Sequence, residues 1–308
     1  MEGRIIGRYE GIDPGPLLIC IGGMHGNEPA GLRAIEEVFR LLSIEKGFNP
    51  EFRYSGTMIG IRGNLQAIQL HQRFIERDLN RMLLEEELNR IKNTDTSNWT
   101  AEDRECFDLI QTIETAIREN SPASVFILDL HTTTADGGLF TIAADDNMSM
   151  TLAKGLHTPF ILGFAENLKG TTLHFFNRPE ENTHCIVFEA GQHDDPESVH
   201  RTAAAIVNCM RTIGAVHSRD VDHRHDGLLI RLSAGLPKVT RLIYRYHIEQ
   251  GEEFSMNPGF KNFHRVIAGE VVAKNQNRMI TAPVSGLLLM PKYQALGDDG
   301  FFIVEVVE

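Results

Sequence analysis

Short apolar runs alternate with segments of helical spacing over the first two thirds of the chain. This alternation constrains the fold more than any other feature. The runs "PLLICIGG", "GTMIGIRGN", "SVFILDLH" and "THCIVFEAG" read as strands. In "PAGLRAIEEVFRLL" the apolar residues recur at helical spacing, with Asn27 as the expected cap and Pro29 in the first turn. Thr100 and Asp103 make a capping box that should open a helix running to about Glu119. Asp195 and Pro196 should open another, closed by Gly214. Strands and helices in this order predict an α/β domain with a parallel or mixed sheet.

Past residue 215 the texture changes. "HSRDVDHRHDG" is polar and charged, and reads as a linker in which His217, His223 and His225 are exposed rather than metal-binding. "VTRLIYRYHI", "GEVVA" and "GLLLMP" are strand-like, and little of this part has a helical period. The expected organisation is a catalytic domain over residues 1–218 and a small all-β domain over 226–308. The sequence has no internal repeat and no low-complexity tract.

A formal net charge of −12 argues against non-specific nucleic-acid binding. No run approaches the roughly 20 apolar residues of a membrane span, and no signal-peptide segment opens the chain. The four cysteines form neither a CxxC pair nor a disulfide framework, and three of them sit in apolar runs as small core residues. A cytoplasmic location is the expectation. Nothing in the sequence speaks to oligomeric state.

Three strand ends carry unusual residues: "GGMHGNE", "ILDLH" and "VFEAG". Ligands gather beyond the carboxyl ends of strands in open α/β sheets, so His25, Glu28, His131 and Glu189 can converge there. Two imidazoles and a carboxylate, with a position left for water, make a catalytic zinc set. His25 and Glu28 form the short-spaced pair, and His131 is the distant ligand. Glu189 is the candidate base, and Asp129, on the same strand face as His131, the candidate partner for its imidazole. Taken singly, a histidine after a strand, such as His131, is more often a hydrogen-bonded structural residue. A glutamate directly after "CIVF" is harder to account for, because burying a carboxylate costs several kcal/mol without compensation. Together the three stretches favour one Zn²⁺ per chain. The helical HExxH zinc motif is absent.

The segment "HQRFIERDLNRML" admits two readings. Arg73, Arg77 and Arg81 can lie on a solvated helix face with ion pairs at i, i+4. Alternatively they line a pocket for a carboxylate, which the guanidinium fork grips at two points, or stabilise an oxyanion beside the metal.

The ordered set "GGMHGNEPAG", "RFIERDLNR", "DLHTTT" and "VFEAG", spanning residues 17–191, resembles the succinylglutamate desuccinylase/aspartoacylase family of zinc deacylases. The resemblance implies a zinc-carboxypeptidase-like mixed sheet flanked by helices, with a smaller C-terminal all-β domain. It implies His25, Glu28 and His131 as zinc ligands and Glu189 as the base that later protonates the leaving amine. It further implies Arg73 as the group polarising the carbonyl, Asn80 and Arg81 as holders of a substrate carboxylate, and Asp78 as a brace. Arg178 and Tyr293 fall near positions where the family supplies further substrate contacts. The implied reaction is hydrolysis of the amide of a small anionic N-acyl amino acid. A carboxypeptidase acting on peptide ends and an inactive zinc-binding protein are the alternatives. Nucleotide binding is disfavoured, because "GGMHGNEPAG" does not fit GxGxxG. The acyl group, the amino acid and the choice of amide or ester carry no sequence signature.

Overall fold

Leu17, Ile19 and Ile21 point to one face of a strand, Leu18 and Cys20 to the other, and all are fully buried. A strand apolar on both faces belongs in a sheet covered on both sides. The computed structural model, which describes residues 3–220, 223–276 and 278–308, has that arrangement.

The strands are β1 (Ile5–Glu10), β2 (Asp13–Gly22), β3 (Ser55–Arg62), β4 (Val125–Thr133), β5 (Phe140–Ala143), β6 (Phe160–Leu162), β7 (Thr183–Gln192) and β8 (Val239–His247). They are followed by β9 (Ser255–Met256), β10 (His264–Val266), β11 (Val271–Lys274), β12 (Met279–Thr281), β13 (Gly286–Leu289) and β14 (Asp299–Val306). The helices are α1 (Ala30–Phe48), α2 (Leu65–Leu70), α3 (Glu85–Lys92), α4 (Ala101–Asn120), α5 (Asn147–Gly155), α6 (Phe164–Asn167), α7 (Thr172–Phe176), α8 (Glu197–Thr212) and α9 (Arg224–Leu232).

Among the described residues, an 11-stranded sheet runs in the order β1-β3-β2-β4-β7-β5-β6-β8-β14-β13-β10. Its centre, β3 to β7, is parallel, and β5 joins β7 antiparallel. One face packs on α1, α5, α8 and α9, the other on α3, α4 and α7. The capping box of Thr100 and Asp103 opens α4, as the sequence predicts. Asn27 does not cap α1. The chain turns at Glu28, whose N–H donates to the His25 carbonyl at 3.1 Å, so Pro29 takes the cap position. Asn27 instead faces Gln294, 3.4 Å away.

The C-terminal part is β-rich, with its own small core around Val272, Ile280, Leu288, Phe301 and Ile303. It is also continuous with the main sheet, because β8 runs parallel to β6. The segment expected as a linker runs into the start of α9, which crosses the expected boundary at 226. Leu228, Leu229 and Leu232 bury one stripe of that helix beside α8, a pattern masked by the surrounding charges. His223 stays exposed and pairs with Asp226. Among the described residues no helix is long and apolar enough to cross a membrane. All four cysteines are buried and free.

This topology sets the carboxyl ends of β2, β4 and β7 side by side. Gly22 pairs with Leu130, and His131 pairs with Glu189. Asp129, His131, Val187 and Glu189 therefore face the same side of the sheet, the side covered by α4 and α7.

Candidate active site

His25 and Glu28 project from the tight turn after β2, and His131 from the end of β4. Their donor atoms lie within 4.8 Å of one another, and all three residues are buried. One oxygen of Glu28 is 2.8 Å from His25 Nδ1, and the other is 3.1 Å from His131 Nδ1. The far nitrogens are anchored in turn. His25 Nε2 donates to Asp78 at 3.2 Å, and His131 Nε2 donates to Asp129 at 2.9 Å. A carboxylate only accepts, so each imidazole is oriented with Nδ1 toward the centre. Burial alone would push the Glu28 carboxyl up, but the two imidazoles hold it well below the usual carboxylate range. Burial works against protonation of His131 as well, yet Asp129 and Glu28 raise its pKa well above that of free histidine.

Residues 71–78 form a loop, not the solvated helix that the arginine spacing allows. Arg77 turns outward to Glu87, whereas Arg73 turns in. Its guanidinium lies 3.0 Å from Asp78 and 3.7 Å from Glu28. Asp78 thus braces His25, Arg73 and the backbone N–H of Asn80 together. The Asn80 side-chain oxygen accepts from the N–H of Thr172. Arg81 reaches the same cavity, but Asp299 at 2.5 Å already engages it, and Arg245 holds the other oxygen of Asp299 at 2.6 Å.

Glu189 is 6% exposed, and its Oε2 has no hydrogen-bond partner among the described residues. Burial pushes its pKa up to about 8, with His131 pulling the other way. A buried, uncommitted carboxyl beside a metal-type cluster is suited to taking and returning a proton.

A cavity of about 120 Å³ joins these groups. His25, Glu28, Arg73, Asn80, Arg81, His131 and Glu189 all line it. Arg178 is not among its lining residues; its guanidinium pairs with Glu114 at 3.1 Å and lies against the Phe175 ring. Tyr293 is not brought there either, because its hydroxyl lies 2.9 Å from the carbonyl oxygens of both Asn257 and Phe260 and shares its one proton between them. Its neighbours Lys292 and Gln294 reach the cavity instead. His193, four residues after Glu189, lines it too and was not singled out in the sequence. The only available signal was a histidine close behind "VFEAG".

The donor set fits a metal ion. Glu28, Asp78, Asp129 and Glu189 are all buried, against two imidazoles and the Arg73 guanidinium. Buried carboxylates in this excess are expensive unless a cation compensates them. Two oriented imidazoles plus a carboxylate are the donor types zinc takes in hydrolases.

Residues 14–213 match the family model for the succinylglutamate desuccinylase/aspartoacylase catalytic domain. The chain is 30% identical over 142 residues to a probable aspartoacylase of Nostoc sp., covering 46% of this chain and 40% of that protein. It is 30% identical over 135 residues to another from Acaryochloris marina, covering 42% and 39%. The matched region thus spans about two fifths of the length of these relatives. Among solved structures, succinylglutamate desuccinylase from Vibrio parahaemolyticus superposes with a TM-score of 0.64 at 16% identity, covering 96% of this chain and 82% of that one. The ectoine utilization protein EutE (DoeB) from Ruegeria pomeroyi gives 0.65 at 16% identity, covering 97% and 87%. These structures share the fold, and with the family match running over residues 14–213 the conclusion is direct: the chain belongs to the succinylglutamate desuccinylase/aspartoacylase family.

Proposed function

We propose that this protein is a zinc-dependent deacylase that hydrolyses the acyl-amide bond of a small, anionic N-acyl amino acid. One observation carries the reading: an uncommitted, buried Glu189 shares a cavity with the His25–Glu28–His131 cluster. His25, Glu28 and His131 would hold the ion. When bound there, zinc supplies a Lewis acid for the scissile carbonyl and makes water acidic enough to attack near neutral pH.

The remaining steps fall to the chain itself. Asp78 and Asp129 fix the two imidazoles, so no reorganisation is needed during the reaction. Arg73 can hydrogen-bond the oxygen that gains charge as the carbonyl becomes tetrahedral, because its Nε has no partner. Glu189 takes the proton from the attacking water and returns it to the departing nitrogen, so amine and carboxylic acid leave as separate products. Asn80 and Arg81 supply the grip for a substrate carboxylate, with Arg81 shared between that group and Asp299.

Metal analysis combined with a screen of N-acetyl and N-succinyl amino acids tests the reading. The expected result is one zinc per chain and release of free amino acid that stops on chelation. A zinc-loaded protein that cleaves peptide ends, or nothing in the panel, would overturn it.

A further inference from the structure

We propose that His193 donates a hydrogen bond from Nε2 to an oxygen of the bound acyl compound, a contact that rests on the deacylase reading above.

His193 follows β7 by one residue and lines the same cavity as Glu28 and Glu189. Its Nδ1 lies 2.6 Å from the hydroxyl of Thr132. Thr132 is itself fixed, because its N–H donates to Glu28 at 2.9 Å. A hydroxyl can donate once and accept twice. Among the described hydrogen bonds the Thr132 hydroxyl meets no acceptor other than His193 Nδ1. With the hydroxyl donating to that nitrogen, Nδ1 keeps its lone pair. A neutral imidazole with Nδ1 accepting carries its proton on Nε2. Burial favours the neutral ring, holding His193 below the ordinary histidine range.

Nε2 is buried and has no hydrogen-bond partner among the described residues. A buried N–H left without an acceptor is costly, and native structures seldom keep one without a use. The cavity that His193 lines is the place where a partner would enter. That partner must be an acceptor, which excludes an ammonium group and admits the carbonyl or carboxylate oxygens of an acyl compound. Thr132 makes the link rigid: it follows the ligand His131 in sequence and touches the ligand Glu28, so the donor is registered to the metal cluster. His193 is thus a substrate-contacting residue and not a second base.

Two measurements test this in the zinc-loaded full chain. Nitrogen-15 spectra of histidine-labelled protein, assigned by comparison with His193→Gln, should place the His193 proton on Nε2; a proton on Nδ1 overturns the proposal. In kinetics, His193→Phe should lower kcat/KM about 10- to 100-fold with zinc content and melting temperature unchanged. His193→Gln, whose amide reaches the Nε2 position, should stay within about threefold of wild type. A loss seen with both N-acetyl and N-succinyl substrates identifies an oxygen common to them, and a loss confined to N-succinyl substrates identifies the distal carboxylate. Full activity in His193→Phe, or equal losses in the two variants, overturns the contact alone. Wild-type protein inactive on every substrate instead overturns the deacylase reading, and the contact with it.

Discussion

Asp129 and His131, two residues apart on β4, are joined by a 2.9 Å hydrogen bond from the imidazole Nε2. The strand's twofold period makes this possible by placing both side chains on one face. Thr172 donates to the same carboxylate oxygen and keeps it in place. Removing the anchor should free the ring to rotate and leave it less basic. Asp129→Ala is therefore expected to weaken zinc binding about 10- to 100-fold. Competition against a chelator of known affinity measures this, and an unchanged affinity would show that the bond does not orient the ligand.

Glu189 makes a separable prediction. It lies outside the three-residue donor cluster, and its Oε2 is unpaired. Glu189→Gln preserves shape while removing the basic oxygen. Zinc content should stay near one per chain, and kcat should fall at least about 100-fold. Loss of the metal along with activity would mean that the carboxylate is a ligand and not a base.

The legibility of the chain follows the strength of its local patterns. The alternation of β2, β4 and β7 with α1, α4 and α8 was readable, because buried parallel strands give unbroken apolar runs. His25, Glu28, His131 and Glu189 were readable as candidates because polar residues at the lips of such runs demand a reason. α9 was not, since its three leucines sit among histidines, arginines and aspartates that hide the period. Arg178 and Tyr293 were placed by sequence distance, yet side-chain direction depends on the tertiary partners Glu114, Asn257 and Phe260. The pairing of Arg81 with Asp299 spans 218 positions, and no local pattern announces such a contact.

Arg178 leads to a deliberately negative expectation. Its guanidinium is committed to Glu114 and Glu181, and it is not among the cavity's lining residues. Exposed pairs of this type contribute little, so Arg178→Ala should cost about 1 kcal/mol or less and leave KM within about twofold. A large rise in KM would mean that the side chain swings inward when substrate binds.

Asp299 gives the pH dependence. Burial opposes its ionisation, but Arg81 and Arg245 together hold its carboxyl below the ordinary value of 3.8. The folded pKa is thus below the unfolded one. The unfolded chain takes up the proton first as pH falls, so this stabilisation is complete above about pH 5 and is lost progressively below about pH 4. Asp299→Asn removes the negative charge and leaves two guanidiniums facing each other, at a cost of about 2 kcal/mol near neutrality. Its stability should also fall less steeply than that of wild type below about pH 4. Urea midpoints measured across pH 3–7 test both statements, and parallel curves for the two proteins would refute the assigned pairing.

Gly26 is where the fold and the site depend on each other most closely. The residue lies between His25 and the rest of the turn that carries Glu28. A Cβ added there would come within 2.0 Å of the carbonyl carbon of Ala67. That backbone has little room to yield: the Ala67 N–H donates to Asn64 at 3.0 Å, and the Asn64 side chain is in turn held by Glu102. On its other side the Gly26 N–H donates to the Arg73 carbonyl at 3.3 Å, so the turn cannot move without shifting the arginine loop. Gly26→Ala should therefore cost about 3 kcal/mol through overpacking. It should also spread His25 and Glu28 apart, so that zinc occupancy falls well below one per chain. Gly47 provides the control. It lies in α1 with nothing within 4 Å of an added Cβ, and there alanine should raise stability by about 0.5–1 kcal/mol by restricting the unfolded chain. Thermal unfolding and metal analysis of the two variants together decide the matter: a Gly26→Ala protein with wild-type melting temperature and full zinc would show that the turn is not held by this contact.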